Sequence, residues 1–156
     1  MRAEERASAR RQLDKRLNLL RNTELLARPP RGWLKAIRES LGMTTAQLGK
    51  RLGVAQSRAV AIEQAEAKGT MTLNSLEKAA HALDCRLVYA LVPRKSLDEL
   101  VTERAKSLAK QRMELTSHSM ALEAQSVDRL DENEQFKRMV QRLFDKAGSE
   151  LWKEDA

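Results

Sequence analysis

Apolar residues recur three and four apart along almost the whole chain, which predicts a mainly helical protein. The first ten residues are charged and small and are expected to fray. Leu13, Leu17 and Leu20 then mark one face of an amphipathic helix flanked by Arg10, Arg11, Lys15, Arg16 and Arg21. This helix is expected to pack on the bundle that follows, with its charged face solvated, or to add phosphate or dimer contacts. Arg28-Pro29-Pro30-Arg31-Gly32 interrupts the pattern, because proline restricts itself and the residue before it, and a linker is expected there. Trp33, Leu34, Ile37 and Leu41 restore the helical spacing up to Gly42, with Trp33 expected as a core anchor.

Residues 44–66 predict a helix, a tight turn and a second helix. Thr44 and Gln47 have the spacing of a capping box, and Leu48 and Leu52, one turn apart, give the inner face. Gly49 leaves room for a close crossing, Gly53 ends the helix, and Val54 folds back into the core. The second helix is expected from about Gln56, burying Ala59, Ile62 and Ala65 and turning Gln56, Ser57, Arg58 and Ala61 outward. Beyond the loop at Lys68-Gly69-Thr70, Thr72 can cap a helix carrying Leu73, Leu76, Ala79, Ala80 and Leu83.

Residues 85–92, CRLVYALV, change character: they are β-branched and aromatic and stop at Pro93. A single strand is expected here. The chain offers no second one, so the economical partner is the same strand of another copy, with Arg86, Val88, Tyr89 and Ala90 at a two-fold dimer contact. Ser96 and Glu99 predict a capping box for a helix bearing Leu97, Leu100, Val101, Ala105, Leu108 and Leu115, weakened at residues 116–119 by four polar or β-branched residues. Asp128, Asp131, Glu132 and Glu134 lead into a last amphipathic helix through Phe136, Met139, Val140, Leu143, Phe144 and Ala147, stopped by Gly148.

Composition narrows the function. The chain has 156 residues, 3% aromatics and a net charge of +7, so a modest aliphatic core sits in a protein suited to a polyanion. Residues 1–95 carry 19 basic against 9 acidic side chains, and residues 96–156 carry 10 against 13, so the linear sequence is polarised. The single Cys85 excludes an internal disulfide and fits a reducing cytoplasm. His81 and His118 lack ligand spacing, so no metal and no cofactor are expected. No arrangement of nucleophile, base or phosphate loop suggests an enzyme. Without a membrane-length apolar run or a signal peptide, a soluble cytoplasmic protein is expected.

The outward set on the second helix has the chemistry of base readout: Gln pairs with adenine, Arg forks onto guanine, and small Ala55 and Ala61 permit close approach to thymine methyls. Thr44, Leu48, Leu52, Gly53, Val54, Ile62 and Glu63 fall where the phage Cro/repressor (XRE-type) helix-turn-helix places its cap, core and turn residues, and this stretch resembles that family. Two positions depart from it, Gly49 for the usual Ala and Ala55 for the usual Ser or Thr cap, the latter a loss of about 1 kcal/mol of local stability. Thr44, Thr45, Lys50, Gln56, Ser57, Arg58 and Ala61 are thus the expected contacts to a double-stranded DNA operator. The fold class expected is mainly α: a repressor-like helix-turn-helix bundle with one short dimer-pairing β-strand and flanking N- and C-terminal helices. Its domains would be 1–30 (basic helix and linker), 31–95 (DNA binding) and 96–156 (partner binding).

A narrower resemblance, over roughly residues 10–150, is to the mobile mystery protein A family. It rests on PPRGWLKAIRESLGMT (29–44), the helix-turn-helix, LVYALVP (87–93) and SHSMALEAQ (117–125). The resemblance implies a repressor of its own operon that acts as an antitoxin-like regulator of a Fic-domain AMP-transferase of the mobile mystery protein B type. Inhibitors of such partners carry a helix with Ser or Thr, three residues, then Glu and Gly or Asn, whose glutamate pairs with an active-site arginine and blocks the ATP γ-phosphate position. Ser119 and Glu123 have that spacing, Ala124 departs from it, and residues 128–133 (DRLDEN) offer a competing near-match. The alternatives are a plain repressor whose C-terminal helices only dimerise or sense a ligand, and a structural or RNA-binding module.

Overall fold

The computed structural model describes residues 1–122 and 129–153. Among them are seven α-helices: α1 (Ala3–Arg21), α2 (Trp33–Ser40), α3 (Thr45–Leu52), α4 (Gln56–Lys68), α5 (Leu73–Ala82), α6 (Leu97–Leu122) and α7 (Arg129–Lys146), followed by a 3-10 turn at Ser149–Trp152. The chain divides into two compact units. One spans residues 24–91; the other joins residues 1–23 to those from 92 onward.

In the unit of residues 24–91, Leu34, Leu48, Ala59, Ala79 and Leu83 form a buried cluster, with Ile37, Leu52, Val54, Ile62 and Leu76 packed around it. The first turn of α3 is the expected capping box: Gln47 N donates to Thr44 Oγ1 at 3.2 Å, and Thr44 N to Gln47 Oε1 at 2.8 Å. It ends at Gly53 in the left-handed conformation. Val54 N then donates to Gly49 O at 2.9 Å, folding the turn back onto α3. A Cβ on Gly49 would sit 2.8 Å from Val54 O, closer than real Cβ atoms come, so the absent methyl serves the returning turn.

Charged side chains complete this core. Glu66, 3% exposed, accepts from Trp33 N at 3.0 Å and Leu34 N at 3.2 Å, and so caps the start of α2, where Gly32 supplies no side chain. Gly32 has φ +88, and a Cβ there would collide with the Glu66 carboxylate. Arg28 Nη1 donates to Glu66 O at 2.8 Å. Arg38 and Glu63, also buried, pair through Arg38 Nε and Nη2, while Arg38 Nη1 donates to Met43 O at 2.8 Å. The Glu63 carboxylate raises the Arg38 pKa, holding the guanidinium in its charged form.

Two expectations for this unit are corrected. Trp33 is 41% exposed and Leu34 only 3%, so Leu34 is the core anchor: α2 begins at Trp33 and its inner face runs through Leu34, Ile37 and Arg38. Among the described residues there is no strand, and residues 85–92 are irregular. A strand exists only as part of a ladder, and a single copy provides no partner for this one. Cys85 still packs against the core, but Val88, Tyr89 and Leu91 are exposed.

In the other unit Ala105 and Ala109 let α6 and α7 approach closely, and with Val101, Leu143, Ala147 and Leu151 they form a second core. Ser96 and Glu99 make the expected capping box, each bond 3.1 Å. Asp14 of α1 adds to it, accepting from Leu97 N at 2.7 Å and Asp98 N at 3.2 Å, and Arg10 pairs with Asp98 at 2.7 Å. These bonds fasten α1 to α6. Residues 3–10 are therefore helical rather than frayed, with Arg6 donating to Lys146 O. The helix does not weaken at residues 116–119 either. Thr116 Oγ1 bonds Arg112 O at 2.9 Å and Ser119 Oγ bonds Leu115 O at 3.1 Å, so these hydroxyls find acceptors on their own helix. The left-handed residue after α7 is Ala147, φ 35, not Gly148.

Pairing α1 with α6 also rearranges the charge. The unit of residues 24–91 holds 10 basic and 6 acidic side chains; the remaining residues hold 19 and 16. Both units are net positive, because the basic helix at the N-terminus folds with the acidic third of the chain.

Candidate nucleic-acid interface

The geometry of α4 follows from its buried face. Ala59 is fully buried, Glu63 and Glu66 are engaged by Arg38 and the start of α2, and Ile62 and Ala65 are partly buried. The opposite face is thereby fixed outward. Gln56, Ser57, Arg58 and Ala61 are all exposed on the first two turns. Thr44 and Lys50 are exposed and Thr45 is half-buried.

The starts of α3 and α4 are linked by one side-chain bond, Gln56 Nε2 donating to Thr45 Oγ1 at 3.0 Å. An amide nitrogen carries two hydrogens. One is spent on Thr45; the other, with Oε1, remains for the donor and acceptor pair that adenine presents in the major groove. Thr45 Oγ1, accepting from Gln56, keeps its own hydrogen to donate. Ala55, the N-cap residue of α4, offers no side-chain acceptor, so the first N–H groups of the helix are open to an anion. Among the described residues neither Lys50 nor Arg58 forms an ion pair, whereas Arg51 lies 3.6 Å from Asp84 and bonds Ala82 O at 3.1 Å. Lys50 on α3 and Arg58 on α4 are both exposed.

A family model described as "Helix-turn-helix" matches residues 34–89. Residues 34–89 form an XRE-type helix-turn-helix domain. The match points to a DNA-binding transcriptional regulator, with α3 and α4 as the two helices of the domain and residues 86–89 inside the matched span. Comparison with curated proteins and with solved structures gives no match.

Of the other expected site residues, Arg86, Val88, Tyr89 and Ala90 are exposed in the irregular segment after α5. Ser119 is exposed near the end of α6; Glu123 lies outside the described residues. No described helix is long and apolar enough to cross a membrane. Among the described residues no group of His, Cys, Asp or Glu is placed to hold a metal ion.

Sequence reasoning missed Glu66 and the Arg38–Glu63 pair. Their signal was spacing: Ala59, Glu63 and Glu66 recur at four and three, so both glutamates fall on the stripe assigned to the core. A carboxylate on a buried stripe requires a partner.

Proposed function

We propose that this regulator is a sequence-specific repressor that reads duplex DNA through Gln56, Ser57 and Arg58, with Thr44, Thr45 and Lys50 on the phosphates and Ala61 allowing close approach. The observation that carries the reading is the Gln56–Thr45 bond, which presets a donor and acceptor pair at the start of α4, with Arg58 exposed on the next part of the same outward arc. Two copies would read two half-sites, meeting through residues 86–91, where Val88, Tyr89 and Leu91 leave apolar surface uncovered. The test is selection of binding sites from a random duplex library. Enriched sites should be inverted repeats, and Arg58→Ala should weaken them by about 1–3 kcal/mol at one position of each half-site. Equal loss on selected and random duplexes would refute base readout by Arg58.

The unit built on α1, α6 and α7 has its own core, separate from that of the helix-turn-helix domain, which supports a second role. In the reading suggested by the family resemblance, that role is restraint of a Fic-domain AMP-transferase, with Ser119 and Glu123 as the inhibitory pair. Co-expression with the Fic-domain protein should suppress AMP transfer, and Glu123→Gly should release it while the complex persists. Full restraint by that variant would remove Glu123 from the mechanism.

A further inference from the structure

Between α1, α6 and the C-terminal 3-10 turn lies a groove of about 320 Å³ that neither reading uses. Leu13, Leu97, Leu100, Val101 and Trp152 line it, and no carboxylate does. Its polar members are Arg6 and Arg10. Arg10 is neutralised by Asp98 at 2.7 Å and stacks over the Phe144 ring at 5.2 Å. Arg6 differs. Its Nη1 and Nη2 donate only to the carbonyls of Met1 and Lys146, its Nε is buried without a partner, and among the described residues no acid pairs with it. A cation satisfied only by neutral carbonyls, beside an apolar trough, is left with an uncompensated charge and an idle donor.

We propose that this groove binds a small amphiphilic monocarboxylate, a medium-chain or aryl-alkyl acid. Its chain lies along Leu13, Leu100 and Trp152, and its carboxylate accepts from Arg6 after displacing the Met1 carbonyl. Three features select this class. The volume falls at the lower end of small-molecule sites, which suits one short chain. The lining is apolar apart from Arg6 and Arg10, one helical turn apart on α1, which suits an amphiphile. The uncompensated group is a guanidinium, whose donors match a carboxylate. The site belongs to the unit that does not carry the helix-turn-helix domain, so it stands or falls independently of base readout.

The test uses the full chain with Trp33→Phe, so that fluorescence reports Trp152 alone, titrated with hexanoate, octanoate and decanoate and, as the uncharged control, decanol. Binding should be saturable and tighten by about two- to fourfold per methylene until the groove is filled. Decanol should bind at least tenfold more weakly than decanoate. Arg6→Gln should lose at least tenfold; Leu13→Glu, at a position already 44% exposed, places a like charge in the wall and should abolish binding without unfolding the protein. If Arg6→Gln proves unfolded by circular dichroism, Leu13→Glu decides alone. The proposal is overturned if no saturable change occurs, if decanol matches decanoate, or if folded variants bind within twofold of the parent. It is equally overturned if the Trp152 signal follows protein concentration instead of ligand, which would make the occupant a second copy.

Discussion

Replacing Glu66 by alanine should unfold the DNA-binding unit far more than the loss of one surface carboxylate would. The carboxylate is 3% exposed and receives two backbone donors, Trp33 N at 3.0 Å and Leu34 N at 3.2 Å. It stands at the positive end of α2, behind an N-cap glycine that has no side chain to substitute for it. Removing an N-cap acceptor costs about 1 kcal/mol, and leaving a buried donor unsatisfied adds about 1–3 kcal/mol. The vacated side-chain volume adds to this, so about 2–4 kcal/mol is expected for Glu66→Ala. For a unit this small that is about 10–25 °C in melting temperature. Glu66→Gln keeps one acceptor oxygen but loses the charge, and should cost about half as much. Trp33, whose own amide donates to Glu66, is the natural reporter: with Trp152→Phe in the background, thermal unfolding followed by tryptophan fluorescence isolates this unit. A shift below about 0.5 kcal/mol for Glu66→Ala, of the size usual at exposed sites, would refute the capping role. Glu77→Ala, on the exposed side of α5, serves as the control.

Gly49→Ala gains up to about 1 kcal/mol of helix propensity yet should lower the melting temperature, because its Cβ meets Val54 O at 2.8 Å; a higher one would show that the turn yields freely. Arg38→Met strands the buried Glu63 carboxylate and should cost about 3–5 kcal/mol in a denaturant titration, whereas Arg38→Met with Glu63→Leu should recover much of the loss. Thr45→Val frees the Gln56 amide and should reduce discrimination at the base pair nearest the start of α4, with little change in stability, as read by competition between selected and altered duplexes. Glu150, held below the usual carboxylate range by its bond to Arg112 at 2.5 Å, contributes stability above that range and loses it as pH falls. Glu150 is exposed and Arg112 half-buried, so solvent screens the pair and Arg112→Gln should flatten the acid side of the stability profile only slightly.

The elements that local chemistry specifies were legible in the sequence. The Thr44–Gln47 and Ser96–Glu99 boxes, the break at Gly53 and the burial of Leu48, Ala59 and Leu83 each follow from spacing of a few residues, whereas the inner face of α2 runs through Leu34 and not Trp33. What was not legible depends on residues far apart in the chain. α1 is fastened by Asp14 and Arg10 to the start of α6 and by Arg6 to Lys146 O, contacts more than eighty residues apart that local propensity does not contain. Residues 85–92 have strand composition, but composition cannot supply the second strand. The outward face of α4 was read correctly in outline, because burial of Ala59 and Ile62 dictates it. The Gln56–Thr45 bond was not, since it depends on where the turn sets the second helix.

The order of the units along the chain has a consequence for synthesis. Residues 24–91 are spliced into the other unit, whose two parts lie on either side, and near the junctions Arg21 Nε donates to Pro93 O at 3.3 Å. The helix-turn-helix domain is thus held by two tethers, and cutting one by proteolysis leaves it attached. A ribosome also finishes it first. When Leu91 has emerged, every residue of the DNA-binding core exists, while α1 waits for an α6 that has not been translated. During synthesis the core of residues 24–91 is therefore complete while the host unit is still open, and only the later emergence of α6 and the 3-10 turn brings the groove beside Arg6 and Trp152 into being.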